Sequence, residues 1–164
     1  MRTVIKNNVK SVLRKILAEN SGSEQIAMGS ALGMFVGLLP IMGIQTIVVL
    51  PLAIFFRVNK IASVLFIWVT NVFTFIFIYS FNYWVGIIFL KHFFPASSFL
   101  KMHQFQKFLL DINLQTALRY GTRLFLPLLT GSFLVAFVGA VLTYFSVVIV
   151  FRIFRHEIGR FREQ

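Results

Sequence analysis

The sequence lacks cysteine altogether, and it has few charged residues of either sign. With no cysteine among its 164 residues, the chain can form no disulfide bond, thiol nucleophile or cysteine-ligated zinc site. Charged residues make up 13% of the sequence, about half the share of roughly 25% in soluble proteins. None of the five acidic residues lies in a long hydrophobic run, which argues against a proton relay through membrane carboxylates.

Sequence signatures of enzymes are also missing. The chain has no glycine-rich phosphate loop, catalytic-triad pattern or nucleotide-binding fingerprint. Its three histidines, His92, His103 and His156, lack the spacing of metal ligands. We therefore expect a protein that is not an enzyme, with no catalytic residue, no cofactor and no metal site.

Hydrophobic residues dominate instead, at 58% of the chain. They are concentrated in three uncharged stretches, which we call the first, second and third stretch: Ile26–Phe56, Ile61–Leu90 and Leu124–Phe151. Each is longer than the roughly 18 apolar residues that indicate a bilayer segment. None alternates in the manner of barrel strands, so the sequence predicts an all-α, helical integral membrane protein.

The basic residues give the chain a formal net charge of +11 and a pI of about 10.8. On a soluble protein this excess would suggest nucleic acid as a partner. Here the basic residues flank the hydrophobic stretches, where they meet anionic headgroups and orient the chain in the membrane. We therefore expect anionic membrane lipids as partners, and no nucleic acid.

The first stretch is 31 residues long and is broken near its middle by Pro40 and Gly43. A straight helix of this length would rise roughly 46 Å, whereas the hydrocarbon core is only about 30 Å thick. Each half alone would rise only about 20 Å. Two geometries fit: a hairpin that re-enters on the same side, with Pro40 and Gly43 as its hinge, or one long, kinked span.

The second stretch is also interrupted, at residues 70–74. Two successive interrupted stretches suggest an internal repeat, and such pairs are the sequence pointer to a transporter-like site. The predicted fold therefore has two interrupted helical hairpins, re-entrant or kinked, one C-terminal transmembrane helix and amphipathic flanking helices.

The remaining segments complete a single membrane domain over residues 1–164. Residues 1–24 predict a basic amphipathic helix, which lies either in the membrane interface or against the protein's own cytoplasmic face. Apolar positions between residues 91 and 123 indicate a further interfacial helix: Phe105, Phe108, Leu109, Ile112 and Leu118. The domain then consists of residues 1–24, 26–56, 61–90, 91–123, the transmembrane helix 124–151 and a basic tail, 152–164.

A ladder of small residues, Gly29, Gly33 and Gly37, precedes the first break. Glycines four residues apart allow a neighbouring helix to approach closely in lipid. We expect them to pack against such a neighbour. Because one crossing and two short hairpins do not easily enclose a polar cavity, we also expect a homodimer or larger assembly that packs through these glycines.

The residues around the two breaks follow a particular order: Ile26-Ala27-Met28-Gly29, Gly33, Gly37-Leu38-Leu39-Pro40, Gly43-Ile44-Gln45-Thr46, Asn59 and Thr70-Asn71. This order resembles an uncharacterised bacterial membrane family, domain of unknown function 2062, and the resemblance covers roughly residues 10 to 155. One departure is Val72, where the family often has proline. The resemblance implies a helical fold in the bacterial inner, or cytoplasmic, membrane and no established activity. Some relatives look joined to glycosyltransferase domains, which implies envelope glycan or lipid-linked sugar chemistry.

The breaks themselves predict a site. A broken backbone must face protein or a wet cavity, because unpaired amide groups in hydrocarbon cost several kcal/mol each. Gln45 and Thr46 lie at the start of the helix after the first break, and Asn71 with Thr74 is placed to cap the helix after the second. Two helix N-termini at this depth would bind an anion or phosphate. The alternative is that these four side chains only satisfy the broken backbone.

Two functions follow from these patterns. The first is a small transporter or flippase-like protein for an anionic or lipid-linked substrate of envelope biogenesis. The second is a non-catalytic accessory or scaffold subunit that positions a partner such as a glycosyltransferase. The distribution of basic residues predicts a cytoplasmic N-terminus and a C-terminus on the other side. Residues 57–60 would be cytoplasmic between two hairpins, but outside between two kinked spans.

Overall fold

The computed structural model describes residues 22–94, 99–110 and 121–160. The regular structure of these ranges is entirely helical, as predicted, and its helices are α1 (Ser23–Leu38), α2 (Gln45–Phe55), α3 (Lys60–Ile67), α4 (Phe75–Phe93), α5 (Met102–Leu110) and α6 (Thr122–Arg160). The predicted N-terminal helix lies outside the described residues, except for its last three positions. Helix α6 runs on through the first part of the predicted tail.

Two of these helices are long and apolar enough to cross a membrane. They are α4, with 19 residues, and the segment Arg123–Ile153 of α6, with 31 residues and a mean hydropathy of 2.6. Only 11% of the most apolar part of that segment is buried. Large apolar side chains therefore form much of the surface, and Phe77 and Phe137 are examples that are 77% and 61% exposed. Apolar patches of this extent are unusual on soluble monomers.

The first stretch turns back on itself at its break. Leu39 has an extended backbone, with a ψ of 150°, as expected for a residue that precedes proline. Gly43 has a φ of +96°, which favours glycine. After the reversal, α2 runs back along α1 until the Asn59 N–H donates a hydrogen bond to the Gln25 carbonyl at 3.1 Å. The first stretch is therefore a hairpin.

The glycine ladder lies against α3, which runs parallel to α1. A Cβ atom on Gly29 would meet the Asn59 backbone, and one on Gly33 would meet the Ser63 carbonyl. Gly37 lies in the same way against the Ile67 backbone. These glycines allow α1 and α3 to pack backbone against backbone. They are thus occupied within one chain, and the contact between copies through them stays a prediction, as does oligomerisation itself.

Helix α1 packs antiparallel against the C-terminal half of α6. At one end of the pair, Ile26 packs against Val147 and Phe151. At the other end, the Leu38 side chain lies against Gly139. The beginning of α1 and the end of α6 therefore lie at the same end of the molecule. This argues against the expectation that the two termini lie on opposite sides of a membrane, although the chain termini themselves lie outside the described residues.

Helix α4 packs antiparallel against the N-terminal half of α6. A Cβ atom on Gly131 would meet the Asn82 carbonyl, and one on Gly86 would meet the Pro127 carbonyl. Since α1 and α4 are both antiparallel to α6, and α3 is parallel to α1, α3 and α4 run in the same direction. The second stretch therefore runs on past its break, which agrees with the kinked alternative for this stretch and not with the re-entrant one. The physical reason is that the packing partner of α4 lies beyond the break.

Helix α5 covers the far end of the α4–α6 pair. Three of the predicted apolar positions, Phe105, Phe108 and Leu109, are buried in a cluster with Tyr83. The rings of Tyr83 and Phe105 are stacked, with centroids 4.0 Å apart. The two other predicted positions of this helix, at residues 112 and 118, lie outside the described residues.

Candidate functional site

The two breaks together line one open cavity of about 290 Å³, which we call the break cavity. The first break contributes the beginning of α2, and the second contributes the end of α3 and the turn that follows. Its described lining residues are Met42, Gly43, Gln45, Thr46, Ile67, Trp68, Thr70, Asn71 and Val72. Three of the predicted site residues therefore come together here. The fourth, Thr74, lies in the second break but is not part of the lining.

The break cavity lies level with the middle of the third stretch. Leu38, the last residue of α1, contacts Gly139, which is close to the centre of the uncharged run 124–151. Gly37 lies beside Ile67, so the second break begins at the same level. In a membrane crossed by α6, both interruptions would be near the bilayer centre.

The first break leaves a helix N-terminus open toward the break cavity. Ile44, at the N-cap of α2, gives no side-chain hydrogen bond to the helix. The first helical hydrogen bond runs from the Val48 N–H to the Ile44 carbonyl at 3.1 Å, so the amides of residues 45–47 precede it. Such amides carry the partial positive charge of the helix dipole.

The two predicted residues at this N-terminus behave differently. Gln45 is buried, and its Nε2 donates to the Gly37 carbonyl at 3.1 Å. It therefore satisfies a carbonyl at the end of α1, as the alternative reading predicts. Thr46 is exposed at the wall of the cavity, where its hydroxyl can reach a bound group.

The second break is closed by its own side chains. Asn71 Oδ1 accepts hydrogen bonds from the N–H groups of Phe73 at 2.9 Å and Thr74 at 3.2 Å. Thr74 Oγ1 accepts from the Asn71 N–H at 3.0 Å and donates to the Val69 carbonyl at 2.9 Å. Asn71 and Thr74 thus satisfy the turn before α4, whereas Thr74, at the N-cap of α4, gives that helix no side-chain hydrogen bond. Of the two helix N-termini, only that of α2 contributes to the described lining of the cavity.

A residue that the sequence analysis did not assign to the site completes the wall. Thr70 is only 3% exposed, and its Oγ1 has no hydrogen-bond partner in the described part of the chain. A buried hydroxyl without a partner is costly, so most such groups in proteins are paired. The available signal was the position of Thr70 directly before Asn71, inside an interruption of an apolar stretch.

The sequence matches, over residues 6–158, a family described as an uncharacterised protein conserved in bacteria, DUF2062. The chain belongs to the DUF2062 family. This confirms the resemblance drawn from the residues around the breaks. No curated protein and no solved structure matches the chain. The functional argument for this DUF2062 protein therefore depends on its own residues.

In this DUF2062 protein, a tyrosine on α4 supports the backbone of the first break. The Tyr79 hydroxyl accepts a hydrogen bond from the Met42 N–H and donates one to the Leu39 carbonyl, both at 3.3 Å. It thus satisfies two backbone groups that the interruption leaves without helical partners. The sequence gives no sign of this contact, because Tyr79 lies among other aromatic residues of the second stretch.

Asn82 connects the first break to both long helices. Its Nδ2 donates to the Leu38 carbonyl at 2.9 Å and to Ser132 Oγ at 3.0 Å, and the side chain is completely buried. Its Oδ1 has no hydrogen-bond partner among the described residues. A carboxamide well past the break of an uncharged apolar stretch is the signal that marks it, since polar groups within membrane segments are costly.

The described part of the DUF2062 chain offers no charge at the site. None of the described lining residues is an Asp, Glu, His, Lys or Arg. Nor do its described residues contain a cluster of three or more metal-ligating side chains. The break cavity can therefore act through neutral hydrogen-bond donors and the helix dipole.

Proposed function

We propose that this DUF2062 protein is a small, non-enzymatic transporter or flippase-like protein of the bacterial inner membrane. Its substrate would be an anionic or lipid-linked molecule of envelope biogenesis. The observation that carries the proposal is the break cavity, where an uncapped helix N-terminus and an unpartnered hydroxyl meet at the level of the middle of α6.

The same geometry supports a membrane topology. In this proposal α1 and α2 form a re-entrant hairpin, while α3 with α4 forms one broken crossing and α6 the other. The start of α1, the connection 57–60 and the end of α6 then share a side. The segments on this side, residues 1–25, 57–60 and 152–164, hold eleven of the 16 Lys and Arg residues. Their excess favours the cytoplasm, and residues 91–123 would be outside.

Membrane physics gives the break cavity its role. Irregular backbone at membrane depth is tolerated only where it is buried in protein or faces a water-filled cavity. Interrupted helices near the bilayer midplane are typical of transporter binding sites, where half-helix N-termini contact anionic groups. A polar headgroup that crosses the membrane would find such donors at the α2 N-terminus, while its apolar chains remain in lipid.

The surface beside the break cavity favours a second candidate, the accessory subunit. Trp68, Val72 and Phe73 are 67%, 69% and 85% exposed, and they surround the interrupted backbone of the second break. A partner such as a glycosyltransferase would shield this backbone from lipid. In that case the cavity is part of a docking surface, and its polar residues would serve the interface instead of a substrate.

A translocation assay tests the proposal. The purified protein is reconstituted in liposomes that contain a fluorescent phosphatidylglycerol or a fluorescent short-chain polyprenyl phosphate, and movement between leaflets is measured by chemical quenching. We expect faster translocation of the phosphatidylglycerol than in protein-free liposomes. Thr70→Val should reduce it at least fivefold, whereas Thr143→Val, a buried position outside the break cavity, should not.

The choice of variants follows from the contacts. Gln45 and Asn71 hold the broken backbone, so replacing them would confuse loss of folding with loss of function. The Thr70 hydroxyl makes no hydrogen bond in the described structure, and valine preserves the shape of the side chain. Absence of protein-dependent movement for both fluorescent lipids would refute transport and leave the accessory function as the better account.

A further inference from the structure

We propose that the break cavity binds the phosphodiester of a lipid headgroup, which carries one negative charge, and discriminates against phosphomonoesters, which carry two. The inference names the substrate class for the site on which the proposed function rests. It concerns binding alone and does not require that the bound lipid be moved across the membrane.

The first argument is the set of hydrogen-bond donors. The amides of residues 45–47 precede the first helical hydrogen bond of α2, and the α2 N-cap gives no side-chain cap. Helix N-termini with free amides are natural sites for phosphate oxygens. Thr46 adds an exposed hydroxyl beside them.

The second argument is the hydroxyl of Thr70, which is independent of the helix end. Thr70 is 97% buried at the cavity wall, and its Oγ1 lacks a partner among the described residues. Because an unpaired buried hydroxyl costs free energy, a ligand oxygen that accepts its proton would remove that cost on binding. The acceptor oxygens of a phosphodiester suit both Thr70 and the α2 amides.

The third argument concerns charge. The described lining residues carry no formal charge, and neither the first nor the second stretch contains any. The helix N-terminus supplies the equivalent of roughly half a positive charge, which partly balances one negative charge. A second negative charge would have no counterion at this depth, where unpaired ions are strongly disfavoured.

The size and position of the cavity fit a headgroup. A volume of about 290 Å³ is at the small end of ligand pockets, which usually measure roughly 300–1,000 Å³. It holds a phosphate and its near substituents, but not acyl chains. Trp68 and Val72, both mostly exposed, place an apolar rim where those chains would pass into the bilayer.

Trp68 lines the break cavity and provides the readout. The chain has two tryptophans, so Trp84→Phe leaves Trp68 as the single fluorophore of its kind. The full-length variant in neutral detergent is titrated at pH 8 with dioctanoyl phosphatidylglycerol, a phosphodiester. The parallel titration uses dioctanoyl phosphatidic acid, a monoester that is close to doubly charged at this pH because the second pKa of phosphate esters is about 6.

We expect the diester to change the fluorescence of Trp68 with an affinity at least tenfold higher than that of the monoester. Thr70→Val should weaken diester binding about tenfold, the usual scale for one hydrogen bond to a charged group, and Thr70→Ser should restore it. Thr143→Val, matched in residue type and burial but placed in a different cavity, should bind like the parent.

Other outcomes overturn the proposal. Equal or tighter binding of phosphatidic acid would refute the charge selectivity, and unchanged binding by Thr70→Val would refute the site. Equal affinity for the water-soluble diester glycerophosphoglycerol would show that the site takes a solute and not a lipid headgroup. Diester binding without translocation would leave this inference standing and refute transport. Translocation of phosphatidylglycerol and polyprenyl phosphate at equal rates, without selective binding, would support transport and refute this inference.

Discussion

The two interrupted stretches are nearly equal in length, yet the first turns back at its break and the second runs on. In the first, the longer helix comes before the break, and the shorter α2 returns along it. In the second, the short α3 comes first, and the longer α4 continues in the same direction. As a result, α3 lies beside α1 at one level of the molecule, and α4 extends past both helices.

The chemistry of the breaks differs in the same way. The first contains Pro40 and Gly43, the latter with a φ of +96°, and leaves the following helix uncapped. The second contains Asn71 and Thr74, which satisfy the turn reciprocally. The proline–glycine break permits reversal, whereas the asparagine–threonine turn satisfies its own backbone and allows the chain to continue. The N-caps of α2 and α4, Ile44 and Thr74, both give no side-chain hydrogen bond to their helices.

The largest expected effect concerns sidedness, which is an all-or-none property. The natural chain has no cysteine, so single cysteines can replace Arg57, Lys101 and Arg152, which are all exposed. Because α3–α4 and α6 are proposed to cross while the first stretch returns, an impermeant thiol reagent should label positions 57 and 152 from the cytoplasm and position 101 from outside. Labelling is measured on intact cells and on inverted membrane vesicles.

Two outcomes of this experiment would show that the two stretches do not differ in the proposed way. Positions 57 and 101 on the same side would show that the second stretch returns as well. Position 57 outside, with position 152 inside, would show that the first stretch crosses. Either result would contradict the proposed combination of one re-entrant hairpin and two crossings, and a cysteine-free parent controls for background labelling.

Much of the fold follows from the sequence because its signals are local. The uncharged stretches and their breaks predict helices and their ends, and the structure has α2 beginning at Gln45, directly after the Pro40–Gly43 break. The direction that the chain takes after a break is a tertiary property. It depends on whether α4 finds its partner behind or beyond the break, and the pairing of Gly86 with Pro127 is invisible in the sequence of either helix.

The candidate site could be predicted in part from the sequence for the same reason. Gln45, Thr46 and Asn71 are polar residues at interruptions, and the structure brings them to one cavity. Their individual roles depend on which backbone group lies within reach, which no spacing rule specifies. The Thr70 side chain, unlike that of its neighbour Asn71, has no hydrogen-bond partner among the described residues, and this difference emerges only from three-dimensional packing.

The next largest effect is expected where glycines bring helices into backbone contact. Gly86→Ala places a Cβ against the Pro127 carbonyl, and Gly33→Ala places one against the Ser63 carbonyl. Because backbone atoms cannot move aside cheaply, each substitution should lower the free energy of unfolding by about 3 kcal/mol or more. Thermal unfolding in detergent, followed by circular dichroism, measures the loss.

Gly139→Ala is the matched control for these glycines. Its new Cβ would meet the far end of the Leu38 side chain, at 2.8 Å from Cδ1, and this flexible group can shift. Alanine also favours the helix by roughly 1 kcal/mol over glycine, so the net change should be small. If Gly86→Ala is as mild as the control, α4 does not depend on close packing with α6, and the proposed reason for its direction fails.

An intermediate effect is expected at Asn82, which links the end of the first stretch to α4 and α6. Asn82→Ala removes the donors to the Leu38 carbonyl and to Ser132 Oγ, and should cost about 1–2 kcal/mol. Ser132→Ala removes only one of these bonds and should cost less. A double-mutant cycle measures their coupling, and full additivity would show that the Asn82–Ser132 bond contributes nothing.

The smallest effects separate the closed break from the open one. Asn71→Ala removes the acceptor for the Phe73 and Thr74 amides, so it should cost about 1 kcal/mol, the usual scale for the loss of a hydrogen-bond partner. Thr46→Ala, at an exposed position beside an uncapped N-terminus, should change stability by less than about 0.5 kcal/mol. The stability of both variants is measured by the same thermal unfolding. The Trp68 titration is the second readout, and Thr46→Ala should weaken phosphatidylglycerol binding although its stability is normal. Equal losses of stability in the two variants would mean that Thr46 also supports the fold, and the first break would then be as closed as the second.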